Sequence, residues 1–156
     1  MLKILVSLIS IIFLSSCAKY ENTTSYKILI KAKSNLSFLD TGFVDVYSNK
    51  TVVKLFSASS VVSTITLGVS SICIDKICMP YDRFNKKFLN ELYPDKLLKN
   101  IINKNPIYDK QNLIKTNNGF IQNIRLNNIE IEYKVSNKEI YFKDRLNRIK
   151  VEFYKL

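Results

Sequence analysis

Apolar and polar residues alternate with a period of two through most of this chain and shift to a period near 3.6 in one central stretch. Ile28 and Ile30 between Lys27 and Lys31 predict a half-buried strand beginning at Tyr26. Ser34-Asn35 and Asp40-Thr41-Gly42 are turn-type sequences, so the next strand is expected over residues 43–47, where Val44 and Val46 flank Asp45. Ser48-Asn49-Lys50 turns into a strand over 51–56. Residues 57–60 break the pattern before a strand over 61–69. The apolar phase then slips by one at Ile72 and Ile74, which predicts a bulge at Ser70-Ser71.

In Cys73-Ile74-Asp75-Lys76-Ile77-Cys78, a two-residue turn at Asp75-Lys76 pairs Ile74 with Ile77 and Cys73 with Cys78. The cysteines then form a non-hydrogen-bonded pair with Cα atoms about 4.5 Å apart, within reach of a disulfide. A zinc half-site is the rival reading, but no second cysteine pair and no histidine completes it.

Pro80 ends this strand series. Asp82 is placed to cap a helix over 83–92 with Phe84, Phe88, Leu89 and Leu92 on its apolar stripe. Pro94 suits the first turn of a second helix, with Leu97, Leu98, Ile101 and Ile102 on its apolar face and residues 103–106 closing it. Both stripes have the spacing of ordinary core faces; alternatively they line one wall of an apolar cavity.

From Asp109 the period returns to two. Asn117-Asn118-Gly119 is a hairpin turn between Leu113-Ile114 and a strand over 120–126. Ile129, Ile131, Tyr133 and Val135 alternate with Glu130, Glu132 and Lys134, and two further strands cover 140–143 and 149–154. The order is about six strands, two short helices and about five strands. Meandering strands with turns every eight to twelve residues predict a mainly β (α+β) domain, a curved antiparallel sheet or partial barrel.

The N-terminus departs from both periods. Lys3 precedes an apolar run to Leu14 that is too short to span a bilayer, which needs about 20 residues, but has the length of a signal-peptide core. Leu14-Ser15-Ser16-Cys17 resembles the lipobox of bacterial lipoproteins. The resemblance implies a lipoprotein signal peptide over 1–16, acylation of Cys17 as the mature N-terminus, a polar tether over 17–25 and one β-rich periplasmic domain over 26–156. Ala18 in place of aspartate implies the outer membrane. Two or three acyl chains give stable anchoring.

The formal net charge is +11, with 24 Lys+Arg against 13 Asp+Glu. A basic surface can meet anionic headgroups; the compositional alternative is an AT-rich genome, which inflates Lys, Asn and Ile together. The lysines are dispersed and the leader directs the chain out of the cytoplasm, so nucleic acid is not an expected partner. The sequence contains no histidine, which removes the commonest general base and metal ligand. No catalytic motif, metal-spaced carboxylate cluster or phosphate loop is present, so neither enzymatic activity nor a cofactor or metal is expected.

The element order, with helices set against the concave side of an open half-barrel of about ten or eleven strands, resembles the superfamily of the periplasmic lipoprotein carrier and its outer-membrane receptor (LolB-like). The residues that carry this are Leu97-Leu98 through Pro106-Ile107, Asn118-Gly119-Phe120 to Ile124 followed by Ile131, Tyr133 and Val135, and Arg148 to Phe153. The chain departs from that pattern in lacking tryptophan and in having Asn105 where glycine precedes the proline. The resemblance implies acyl-chain binding in lipid or lipoprotein localisation, with Phe84, Phe88, Leu98 and Ile101 facing the cavity. The alternative is a structural lipoprotein with a packed interior that docks on an envelope protein assembly.

Overall fold

The computed structural model describes residues 20–34 and 36–156, with side chains from Asn22 onward. The expected leader over 1–16, Cys17 and Ala18 lie outside the described residues. Eleven antiparallel strands form one open sheet: β1 Tyr20–Lys31, β2 Ser37–Tyr47, β3 Thr51–Ser57, β4 Ser60–Leu67, β5 Ser71–Ile74, β6 Ile77–Pro80, β7 Leu113–Thr116, β8 Gly119–Leu126, β9 Ile129–Val135, β10 Glu139–Asp144 and β11 Ile149–Lys155. Helices α1 (Tyr81–Phe88) and α2 (Leu97–Ile102) fall between β6 and β7. The spatial order is β6-β5-β4-β3-β2-β1-β11-β10-β9-β8-β7. Each half is a meander, and the two halves join where the first strand pairs with the last, Ile28 opposite Phe153.

The register sorts the side chains into two faces, because directly opposed residues point the same way. Val44, Val53, Ile65 and Ile74 follow one another across β2 to β5, and Ile28 of β1 and Ile72 of β5 share their face. Phe153, Ile140, Val135 and Phe120 continue the row through β11 to β8. The buried members of this row join Tyr81, Phe84, Leu97, Leu98, Ile101 and Ile102 of the helices in one core cluster. The opposite face is largely polar and charged: Lys150 bonds Glu152 (2.8 Å) and Lys134 bonds Glu132 (2.6 Å) there.

Several local expectations are corrected. β1 starts at Tyr20, inside the stretch read as tether, because Thr23, Thr24 and Ser25 pair with Asp45, Val44 and Phe43 of β2. Asp40-Thr41-Gly42 is no turn but the middle of β2. Gly42 is there because a Cβ would meet Ile28 Cδ1 and come within 2.7 Å of the Lys54 carbonyl oxygen. The phase slip after β4 is made by a turn over 68–70, closed by the Gly68 amide donating to the Ser71 carbonyl at 2.9 Å, and not by a bulge. Helix α1 begins at Tyr81 with Pro80 at its N-cap and ends at Phe88, so Asp82 lies in its first turn and makes no cap. Helix α2 begins at Leu97, three residues after Pro94, whose carbonyl accepts the Leu97 amide at 2.9 Å.

Cys73 and Cys78 pair across the β5–β6 hairpin as the spacing predicts, bonded to each other with a Cα–Cα distance of 3.9 Å. Asp75 fixes this hairpin to β4: its carboxylate accepts the Thr64 amide at 2.8 Å. The disulfide lies on the face opposite the helices, since the alternating neighbours Ile72 and Met79 are in the core.

Candidate functional site

The four residues expected to face a cavity lie in the interior. Phe84, Leu98 and Ile101 are buried core members, and Phe88 is half-buried with its ring 5.0 Å from that of Phe84. The described clefts have other walls. The apolar side chains of α1 and α2 pack with those of the sheet in one core cluster, while Asp82, Arg83, Lys86 and Lys87 of α1 are exposed.

Open space lies instead at one end of the helix-bearing face, where the chain after α2 meets the start of β1 and the β2–β3 hairpin. This cleft encloses about 430 Å³, within the usual range for small-molecule sites. Its floor and walls include Tyr26, Val44, Val46, Val69 and Ile102, and its polar rim includes Asn22, Thr24 and Thr51. Three lysines, Lys50, Lys99 and Lys104, line it, and no carboxylate does so among the described residues.

One lip of the cleft is held in place by buried hydroxyls. Thr51 Oγ1 donates to Asn103 Oδ1 at 2.7 Å, and Tyr133 OH donates to the Asn105 carbonyl at 3.0 Å. Burial pushes the Tyr133 hydroxyl above the range of its unburied pKa, so it remains a donor at any physiological pH. Between these anchors Lys104 adopts φ 59°, the left-handed conformation that a helix usually gives to glycine or asparagine at this position. A lysine held there costs about 1 kcal/mol. Its ammonium lies 5.9 Å from the Tyr26 ring centroid, where a ring face attracts a cation. Burial lowers the Lys104 pKa, and burial followed by the charge of Lys96 lowers that of Lys99. Lys99 donates to the Gly68 carbonyl at 2.7 Å, which leaves two of its three N–H groups for other acceptors. Lys50 lies 5.1 Å from the Tyr47 ring centroid.

A second cleft of about 530 Å³ is lined by Arg125, Arg145, Glu130 and Glu132. Its charges neutralise one another, with Arg125 to Glu130 at 3.7 Å and Arg145 to Glu132 at 3.4 Å. It therefore lacks the one-signed field of the lysine cleft.

A third polar group is structural. Asp144 is fully buried beneath the sheet and accepts from Tyr93 OH at 2.6 Å and Asn147 Nδ2 at 2.8 Å. The amides of Leu146, Asn147 and Glu130 complete its shell at 3.0, 3.2 and 3.3 Å. Tyr108 is placed nearby by a left-handed turn over Tyr108–Lys110; burial and then the Asp144 charge push its hydroxyl up to about 12. Every donor in this shell belongs to a turn or strand end that Asp144 ties together.

Among the described residues no group of three or more acidic, cysteine or histidine side chains is placed to hold a metal ion, and no helix is long and apolar enough to cross a membrane. The lysine cleft was invisible to the alternation pattern, because Lys50, Lys99 and Lys104 read as ordinary turn and helix-surface lysines. The one local signal was Lys104, a lysine directly after a helix-closing asparagine. Comparison with protein-family models, with curated proteins and with solved structures finds no match.

Proposed function

We propose that this chain is a lipid-anchored lipoprotein of the bacterial outer membrane, facing the periplasm, that acts by binding amphiphiles in lipid or lipoprotein localisation and not by catalysis. The lipobox-like Leu14-Ser15-Ser16-Cys17 supports the anchor. The arrangement proposed is a curved half-barrel with α1 and α2 on its concave side, as in LolB-like receptors. The observation that carries the binding role is the half-apolar, lysine-rimmed cleft of about 430 Å³ beside β1. An acyl segment laid along Val44, Val46 and Ile102 gains roughly 0.8 kcal/mol per buried CH2, and transfer to a bilayer needs only a small difference from that gain.

The second reading is an interaction lipoprotein with a packed interior. It is favoured by the helix-free face, where Leu39 is 65% exposed opposite Leu29, and where Phe43 and Phe56 form an edge-to-face pair at 5.2 Å. Such an apolar row suits an envelope protein partner.

The test is palmitate labelling and membrane fractionation of the wild-type protein and of Cys17→Ala, followed by native mass spectrometry of the purified wild type. Acylation that depends on Cys17, together with a co-purifying amphiphile displaced by added lipid, supports the first reading. An acylated protein that carries no amphiphile and shows no mass shift on adding lipid supports the second. An unlabelled wild-type protein refutes both.

A further inference from the structure

We propose that the lysine cleft binds the phosphate of an anionic membrane lipid, with Lys50, Lys99 and Lys104 on the charge and Val46 and Val69 against the glycerol and first acyl carbons. This deepens the proposed function and rests on Cys17 being the anchor.

Three ammonium groups line one cleft without a described carboxylate among them. At several other places on the described surface an acid stands beside a lysine, as at Lys54–Asp45, Lys134–Glu132 and Lys150–Glu152. A phosphate supplies the missing negative charge and enough acceptors for several ammonium groups.

Lys104 sits in the left-handed region at a position where asparagine or glycine is favoured. Thr51 and Tyr133 hold the segments on either side of it, so the strained lysine is fixed at the cleft. Strain that the surroundings over-determine is a mark of binding sites.

Asn22 lines the cleft, and it lies five positions after Cys17, with four residues between them. Fully extended, that stretch spans at most about 18 Å. An acylated Cys17 therefore holds the cleft mouth close to the headgroup layer, where anionic lipids are concentrated. A free phosphate in the periplasm would gain nothing from this proximity, which commits the site to a lipid.

The experiment uses the mature protein purified from membranes and reconstituted into nanodiscs of phosphatidylcholine alone or with phosphatidylglycerol. Lysine acetylation rates are read by peptide mass spectrometry. Lys50, Lys99 and Lys104 are expected to react several-fold more slowly in the phosphatidylglycerol discs, while the exposed Lys86 and Lys115 react at equal rates in both. Lys104→Met, with its Tm measured alongside, is expected to abolish the protection of Lys50 and Lys99. Equal rates in the two discs, or slowing spread evenly over all lysines, would overturn the proposal. So would equal protection by inorganic phosphate in phosphatidylcholine discs, which would assign the site to a free anion. The mass of the Cys17 peptide and titration with water-soluble dihexanoyl phosphatidylglycerol separate the two levels. An acylated peptide with unprotected lysines refutes the cleft and leaves the anchor. An unmodified Cys17 refutes the anchor, and protection by the soluble lipid then upholds the cleft alone.

Discussion

Replacing Tyr93 by phenylalanine removes one oxygen from the polar cluster around the fully buried Asp144. Tyr93 is itself buried, and its hydroxyl donates to Asp144 Oδ2 at 2.6 Å. That oxygen keeps one other donor, Asn147 Nδ2 at 2.8 Å. Among the described residues no lysine or arginine is paired with Asp144, so its carboxylate rests on hydrogen bonds alone. A buried hydrogen bond to a charged group contributes about 1.5–3 kcal/mol, and the phenyl ring preserves the packing against Phe142, whose centroid is 6.3 Å away. The expected loss is therefore about 2 kcal/mol. With an unfolding entropy of about 2.1 cal/mol/K per residue over roughly 140 residues, this lowers Tm by about 7 °C. Urea denaturation followed by circular dichroism is the direct assay: the midpoint falls while the slope m is unchanged. Tyr154→Phe, at an exposed strand end, serves as the control and stays within about 0.5 kcal/mol of wild type. A Tyr93→Phe protein within that same range would refute the assignment of Asp144 as a carboxylate held by its donors.

Reduction of Cys73–Cys78 frees a six-residue loop and is expected to lower stability by about 2 kcal/mol by the loop-entropy relation, read as a Tm difference with and without reductant; an unchanged Tm refutes it. Gly119→Ala places a Cβ against the Val135 carbonyl oxygen and 2.7 Å from its carbon; because that obstacle is backbone, a loss of at least about 1 kcal/mol is expected, and a neutral variant would show that the β8–β9 pairing gives way. For Asp45, burial raises the pKa but the Thr23 hydrogen bond and the Lys54 ammonium outweigh it, leaving the folded pKa below 3.8. The Glu132 pKa is held below 4.5, first by the hydrogen bond from Lys134, with Arg145 adding to it against burial. A depressed carboxylate stabilises above its unfolded pKa and loses that contribution as pH falls through the folded value. Tm should therefore fall below about pH 4.5, and less steeply in Asp45→Asn; identical slopes would remove Asp45 from the account. Lys104→Asn places a residue that tolerates the left-handed region at φ 59° and removes a partly desolvated charge, so its Tm in the absence of lipid should not fall; a drop of several degrees would show that the lysine is held for stability.

The sequence by itself determined the element list. Alternation of period two, turn chemistry and one break at Pro80 yield six strands, two helices and five strands in the observed order, because each of these signals is local: a hairpin's register follows from its turn. The Cys73–Cys78 pairing was legible for the same reason, as both cysteines belong to one hairpin. Where local signals conflicted with long-range packing, packing prevailed. Asp40-Thr41-Gly42 has turn residues, yet Gly42 serves the close approach of Ile28 and the Lys54 carbonyl. Residues 20–25 have weak alternation, yet they are a strand because β2 extends far enough to pair with them. Asp82 looks like a cap, yet Pro80 at the strand end sets where α1 starts.

Only the tertiary structure decided what is inside and what is open. The apolar stripes at Phe84, Phe88, Leu98 and Ile101 have the same spacing whether they fill a core or line a cavity, and which it is depends on how closely the sheet approaches the helices. The pairing of β1 with β11 brings together residues more than a hundred positions apart, and no periodicity encodes it. The cleft arises from the same step. Lys50, Lys99 and Lys104 belong to a hairpin, a helix and a loop, and they share a field because the sheet brings the β2–β3 turn beneath the end of α2. Local sequence sets the conformation of each segment; only the fold sets the distances between charges that are far apart along the chain.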